Sequence, residues 1–230
     1  MSSASSYFLK SYDLTRSDRR SICIAVTADG RLIVRAPKNA PQAAIDRFVA
    51  QKADWIAATQ AEALNRKAAC FVHLFADGEP FQFMGSRYTL HYAQIDAICA
   101  AHGELLIPHC AQPRMALLKW YKARAYEEFS LRAAQLSKLM ELHDIPPVKL
   151  SCAKKRWGSC SHNGININWR LIMAPPQVLE YVLVHELAHV RYPDHQPHFW
   201  RFVASILPDY HERRDWLKTH GHELLNCMDE

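Results

Sequence analysis

The chain has no run of about 18 apolar residues, so no segment has the length of a membrane-spanning helix. Its longest hydrophobic windows are cut by His, Glu, Arg or Lys. Met1 to Lys10 contain neither a basic n-region nor an apolar stretch of signal-peptide length, which leads to the expectation of a soluble protein that stays where it is made. C-x-x-C pairs are absent as well. The seven cysteines are odd in number and scattered, which argues against a disulfide framework or a thiolate zinc ribbon and for a reducing, cytoplasmic compartment. Glycine is scarce, at seven of 230 residues, and the twelve prolines follow no repeat, so collagen-like and low-complexity classes are excluded. A concentrated charge of one sign is missing too. Residues 1–113 carry 12 basic and 10 acidic side chains and residues 114–230 carry 16 and 13, so the net charge of +5 is spread out. Nucleic-acid binders gather their charge on one face, and this even distribution argues against a nucleic-acid partner.

What the chain does have is apolar material for a core, with 49% of its residues hydrophobic. Ser21–Thr27 and Arg31–Arg35 flank Asp29-Gly30, a hairpin signal. Pro41 opens a helical stretch over about 42–64. Short strands are expected over 81–84, 88–92 and 104–107, which would complete a β-rich α+β subdomain over residues 1–112. From Arg114 to about Leu142, Leu117, Trp120, Tyr121, Ala125, Phe129, Leu136 and Leu139 recur at helical spacing until Ile145-Pro146-Pro147. Strands follow at 148–152 and 164–171; the second alternates Ile165, Ile167 and Trp169 against Asn166, Asn168 and Arg170. Pro175-Pro176 then starts another helix.

That helix carries the sharpest signal, His185-Glu186-Leu187-Ala188-His189 between apolar flanks. Residues four apart lie about 40° apart around a helix axis, so the two imidazoles converge on one point. One helical turn gives the bite that two zinc ligands need, since imidazole nitrogens bind zinc at about 2.0–2.1 Å. Glu186 stands beside them, placed to take a proton from water activated by the metal. With 13 His and 11 Glu in the chain, about 0.03 accidental matches to this pattern are expected. A catalytic zinc site uses three protein ligands and leaves one position open. His195, His198, His211 and Glu212 are the downstream candidates for the third. The six-residue interval from His189 to His195 matches that of metzincins, but Tyr192 stands where they have glycine.

Trp157-Gly158-Ser159-Cys160, Asn168-Trp169-Arg170-Leu171, Ala174-Pro175, the His-Glu-Leu-Ala-His helix, His195 with Phe199-Trp200, and Pro208-Asp209-Tyr210 leading to Arg213 and Trp216-Leu217 occur in one order. In this the chain resembles the YgjP-like metallopeptidases, relatives of the SprT-like and WLM zinc proteases. The resemblance is dense over 148–217 and looser before it. It implies an α+β, zincin-like domain over 113–230 with the active-site helix packed on a small sheet. It also implies a single Zn²⁺ held by His185, His189 and His195, with Glu186 as catalytic base. The family pattern has Asn and Ser around the third histidine, where this chain has Asp194 and Gln196.

Further roles are expected around this motif. The strand over 164–171, which carries Asn168 and Arg170, is read as an edge that lines the cleft and meets a peptide, with an ordinary sheet strand without an exposed edge as the competing reading. Tyr210 and Arg213, after the third ligand, join Asn168 and Arg170 as transition-state or substrate contacts, with Arg214 beside them and surface salt bridges as the competing reading for the arginines. Cys160 is read as structural, because no base is assigned to it. The resulting function is a zinc-dependent peptide hydrolase acting on a polypeptide substrate. The resemblance implies an alternative as well, since some members of that family carry a nucleoside-triphosphate pyrophosphatase label: the same metal would act on a nucleoside triphosphate of the UTP type, with Lys154, Lys155, Arg156 and Arg170 as a cationic rim; no P-loop supports it. A third reading is a binding module whose structural zinc is closed by His198 or Cys160.

Overall fold

The computed structural model describes residues 12–27, 29–68, 73–226 and 228. These divide into two compact units, one before residue 72 and one after it.

In the first unit, β1 (Asp13–Ser17), β2 (Cys23–Val26) and β3 (Leu32–Pro37) form a sheet in the order β1-β3-β2. β1 runs parallel to β3 and β2 antiparallel to it. The hairpin turns at Gly30, whose φ of 82° suits a residue without Cβ. Alternate residues of β3, Leu32, Val34 and Ala36, are buried with Ile45, Val49 and Ile56 from the helices α1 (Gln42–Gln51) and α2 (Ala53–Ala68). The single helix expected over 42–64 is thus two, broken at Lys52. β1 carried no signal in the sequence, because its side chains are mostly exposed and polar.

The second unit begins with a sheet in the order β4-β5-β7-β6, built from β4 (Pro80–Phe83), β5 (Ser86–Ala93), β6 (Cys99–Ala101) and β7 (Glu104–Pro108). The long helix α3 (Pro113–Leu139) starts at a proline, whose missing N–H costs nothing in a first turn. Its buried face repeats every four residues through Leu117, Tyr121, Ala125, Phe129 and Ala133. Burying side chains the size of Tyr121 and Phe129 contributes about 1.5–3 kcal/mol each. The expected boundary near residue 112 falls inside this unit. The Tyr121 hydroxyl donates to the carbonyl of Gln82 at 2.7 Å, and the Met84 and Gly85 amides donate to the carbonyls of Ile172 and Met173 at 2.8 and 3.2 Å. The β4–β5 turn is therefore stitched to the segment that precedes the motif helix. Gly85 is required there: its φ is 76°, and a Cβ would come within 2.7 Å of Pro175 Cα.

A second, three-stranded sheet follows, in the order β8-β10-β9, from β8 (Val148–Ser151), β9 (Gly158–Ser161) and β10 (Gly164–Asn168). β10 is parallel to β8 and antiparallel to β9. This corrects the expectation of an edge strand over 164–171. β10 is central, and the strand ends at Asn168, whose side chain accepts the Arg170 amide at 3.2 Å and starts a buried 3-10 helix, Trp169–Met173. The remaining helices are α4 (Pro176–Arg191), α5 (Pro197–Ile206) and α6 (Tyr210–Asn226). α4 packs against α3, α5, α6 and β9, at the centre of the unit. The class is α+β, as expected, and no helix among the described residues is long and apolar enough to cross a membrane.

Candidate metal centre

α4 begins at Pro175-Pro176 and ends at Tyr192, where φ of −129° leaves the helical range and Pro193 follows. Leu179, Leu183, Val184, Leu187 and Ala188 are fully buried, so the helix is held on most of its circumference. His185 and His189 emerge half-buried from what remains, and Glu186 is buried. After Pro193 the chain reverses. The Gln196 amide donates to Asp194 Oδ1 at 3.2 Å, and Pro197 starts α5, which places His195 in the turn and back over α4.

One ligand atom from each of His185, His189 and His195 lies within 4.8 Å of the others. The Nε2 atoms of His185 and His195 are 3.0 Å apart, near the edge of about 3.3 Å expected for a tetrahedral ion with 2.0–2.1 Å bonds. The three rings surround the buried Phe199, whose centroid is 5.0, 4.7 and 4.9 Å from those of His185, His189 and His195. His189 Nδ1 is 3.0 Å from the Tyr192 carbonyl; as the donor there, it leaves Nε2 with its lone pair toward the other imidazoles. Burial, followed by the neighbouring His189, His195 and Arg214, lowers the pKa of His185 to about 3. Burial also lowers His195, helped by His189 and opposed by Asp194. Metal ligation needs neutral imidazole, and these environments disfavour the protonated forms of His185 and His195. The donor set therefore fits a borderline-soft divalent ion of the zinc type.

Glu186 sits under β9. A Cβ on Gly158 would fall 2.6 Å from its Cγ, so the strand approaches this closely only through glycine. Burial raises the Glu186 pKa to about 7, with Arg156 pulling it partly back. That proton affinity suits a group exchanging protons near neutrality. Burial, then the Glu186 carboxyl, raises Cys160 above its ordinary value, which disfavours a thiolate.

Among the described residues the group of possible ligands holds three histidines and no fourth His, Cys, Asp or Glu. His198 turns instead to Asp194, 3.1 Å away, and His211 and Glu212 are exposed on α6. Asn168 is fully buried, and its amide nitrogen donates to the Ala153 carbonyl at 2.8 Å. Arg170 is buried over the Trp169 ring and lines a cavity of about 150 Å³ with Lys122 and Lys154, to which no triad histidine contributes. Arg213 pairs with Glu180 at 2.5 Å and Asp209 at 2.9 Å and donates to the Gln177 carbonyl at 3.2 Å, tying α6 to α4. Tyr210 is closer to the centre: it stacks at 5.5 Å on Trp200, whose ring is 5.7 and 5.8 Å from His185 and His195. Tyr181, absent from the candidate residues above, and Arg214, which stood beside Arg213 among them, join it. Tyr181, one turn before His185 on the same face, lies 6.0 Å from that ring. The Arg214 guanidinium lies 5.4 Å from the Trp200 centroid. The i, i+4 spacing could have found Tyr181, but nothing in the sequence separates Arg214 from Arg213.

The model of the family described as YgjP-like, metallopeptidase domain, matches residues 20–220. No curated protein and no solved structure matches the chain.

Proposed function

We propose, for a chain that belongs to the YgjP-like metallopeptidase family, that peptide bonds are hydrolysed at one zinc ion held by His185, His189 and His195. The observation that carries this reading is the convergence of three imidazole nitrogens within 4.8 Å next to a buried carboxyl. Bound zinc supplies Lewis acidity toward the scissile carbonyl and toward water. The chain's residues do the rest. Glu186, with its pKa near 7, accepts a proton from the attacking water and returns it to the leaving amine. The Tyr192 carbonyl fixes the His189 tautomer, and Phe199 holds the three rings at their mutual angles. β9 is an edge strand beside Glu186 and offers backbone groups to which an extended peptide can add. Tyr210 is the proposed donor to charge developing on the carbonyl oxygen, because its ring is packed on Trp200 at the triad.

The test is Glu186→Gln. It is expected to keep one zinc per chain by elemental analysis while hydrolysis of an unfolded protein falls by at least about a hundredfold. Undiminished turnover in a zinc-replete variant would overturn the mechanism. Pyrophosphate release from nucleoside triphosphates, measured on the same two preparations, tests the nucleotide alternative.

A further inference from the structure

Arg213 and Arg214 are adjacent on α6 and meet different surroundings. Arg213 is consumed by Glu180, Asp209 and the Gln177 carbonyl. Arg214 is half-buried and, among the described residues, forms no ion pair or hydrogen bond; its guanidinium lies over the Trp200 ring, 5.4 Å from the centroid. Of the acids beside it in sequence, Asp215 bonds Lys218 at 2.9 Å while also feeling the Arg214 charge, and Asp209 pairs with Arg213. Trp200 is itself wedged between Tyr210 and the rings of His185 and His195. A guanidinium laid on an aromatic face is pre-positioned and partly desolvated, and it keeps its fork of N–H donors for a carboxylate.

The wider charge pattern agrees. The field of Arg214 reaches His185, His195 and Tyr181, and that of Arg156, two residues before β9, reaches Glu186. Asp194, the acid beside His195, is occupied by His198 and the Gln196 amide.

We propose that Arg214 is a specificity-determining residue that receives a carboxylate of the peptide substrate next to the scissile bond. This rests on the peptidase reading. The carboxylate can come from an Asp or Glu side chain or from a free C-terminus; Arg214 binds the same group in either case.

The experiment uses the full chain, zinc-loaded and carrying Glu186→Gln so that ligands persist, and reads peptide binding by calorimetry. The probes are matched hexapeptides: glutamate scanned along a chain with blocked ends, glutamine in the same places, and the glutamine peptide with a free C-terminus. At least one carboxylate peptide is expected to bind about tenfold more tightly than its neutral match. Adding Arg214→Gln is expected to erase that preference with zinc content unchanged, and Arg214→Lys to restore part of it. Which probe is preferred identifies the source of the carboxylate. Equal affinities in the Arg214 parent, or a preference that survives Arg214→Gln, overturns the inference. Turnover by the wild-type enzyme is scored separately. A carboxylate preference without hydrolysis sinks the peptidase reading alone, and hydrolysis without a preference sinks the role of Arg214 alone.

Discussion

Gly158 and Glu186 are in contact across the boundary between β9 and α4, and the space a Gly158 side chain would need is filled by the Glu186 carboxyl arm. Gly158→Ala is therefore expected to push Glu186 off its position rather than unfold the chain. Hydrolysis should fall by about 10–100-fold at unchanged zinc content, as for a misplaced catalytic group. Activity and elemental analysis on one preparation check this, and full activity in the alanine variant would show that the carboxyl has room to move.

The metal should be coupled to folding. His189→Ala removes one of three converging nitrogens, and its zinc stoichiometry is expected to fall well below one. Chelation of the wild type should lower its melting temperature, while His189→Ala should melt at one temperature with or without chelator. Thermal scans in both conditions decide the point.

In the zinc-free protein the two buried groups give opposite pH dependences. His185 is shifted down from 6.5 to about 3, so its neutral form stabilises the fold above about pH 6.5, and that stability is lost as pH falls toward 3. Glu186 is shifted up from 4.5 to about 7, so its contribution is present below about pH 4.5 and is lost as pH rises through 7. Zinc-free Glu186→Gln should accordingly match the wild type near pH 4.5 and be more stable by up to about 3 kcal/mol at pH 8. Urea midpoints across this range measure the difference; a constant difference would mean that Glu186 does not titrate as its burial requires.

Phe199→Ala should affect both stability and the site. The ring is fully buried and touches all three histidines, so its removal is expected to cost about 3–5 kcal/mol and weaken zinc binding. Denaturant unfolding and competition with a zinc indicator read the two effects.

Arg213→Ala should lower stability by about 1–2 kcal/mol and leave zinc content unchanged, because its partners join α6 to α4 away from the imidazoles. An unchanged unfolding midpoint would remove that role.

The His-Glu-x-x-His pattern was readable in one dimension because helical period alone brings residues four apart onto one face. Pro175-Pro176 and Pro193 bounded its helix for equally local reasons, the missing N–H and the restricted φ. The long helix after Pro113 followed from periodicity, and the α+β class from strand and turn signals together with the family resemblance. Other features depend on partners distant in sequence. Strand order is one: the alternation of residues 164–168 marks a strand but not that β8 and β9 flank it, so the edge belongs to β9. The end of that strand at Asn168 depends on a cap and on burial of every residue from Trp169 to Met173. The unit boundary lay before residue 73 rather than near 112 because the β4–β5 turn bonds to residues 172 and 173, about ninety positions away. Spacing alone left His195 and His198 both open as the third ligand, and in the fold the Asp194 side chain and the reversal into α5 set them apart. Arg213 and Arg214 differ by one step around a helix, and what α6 packs against turns one into a strut and leaves the other beside Trp200. Local sequence chose the chemistry of the α4 motif. Long-range packing chose which of several equivalent side chains came to stand around it, because those contacts join residues that no local period relates.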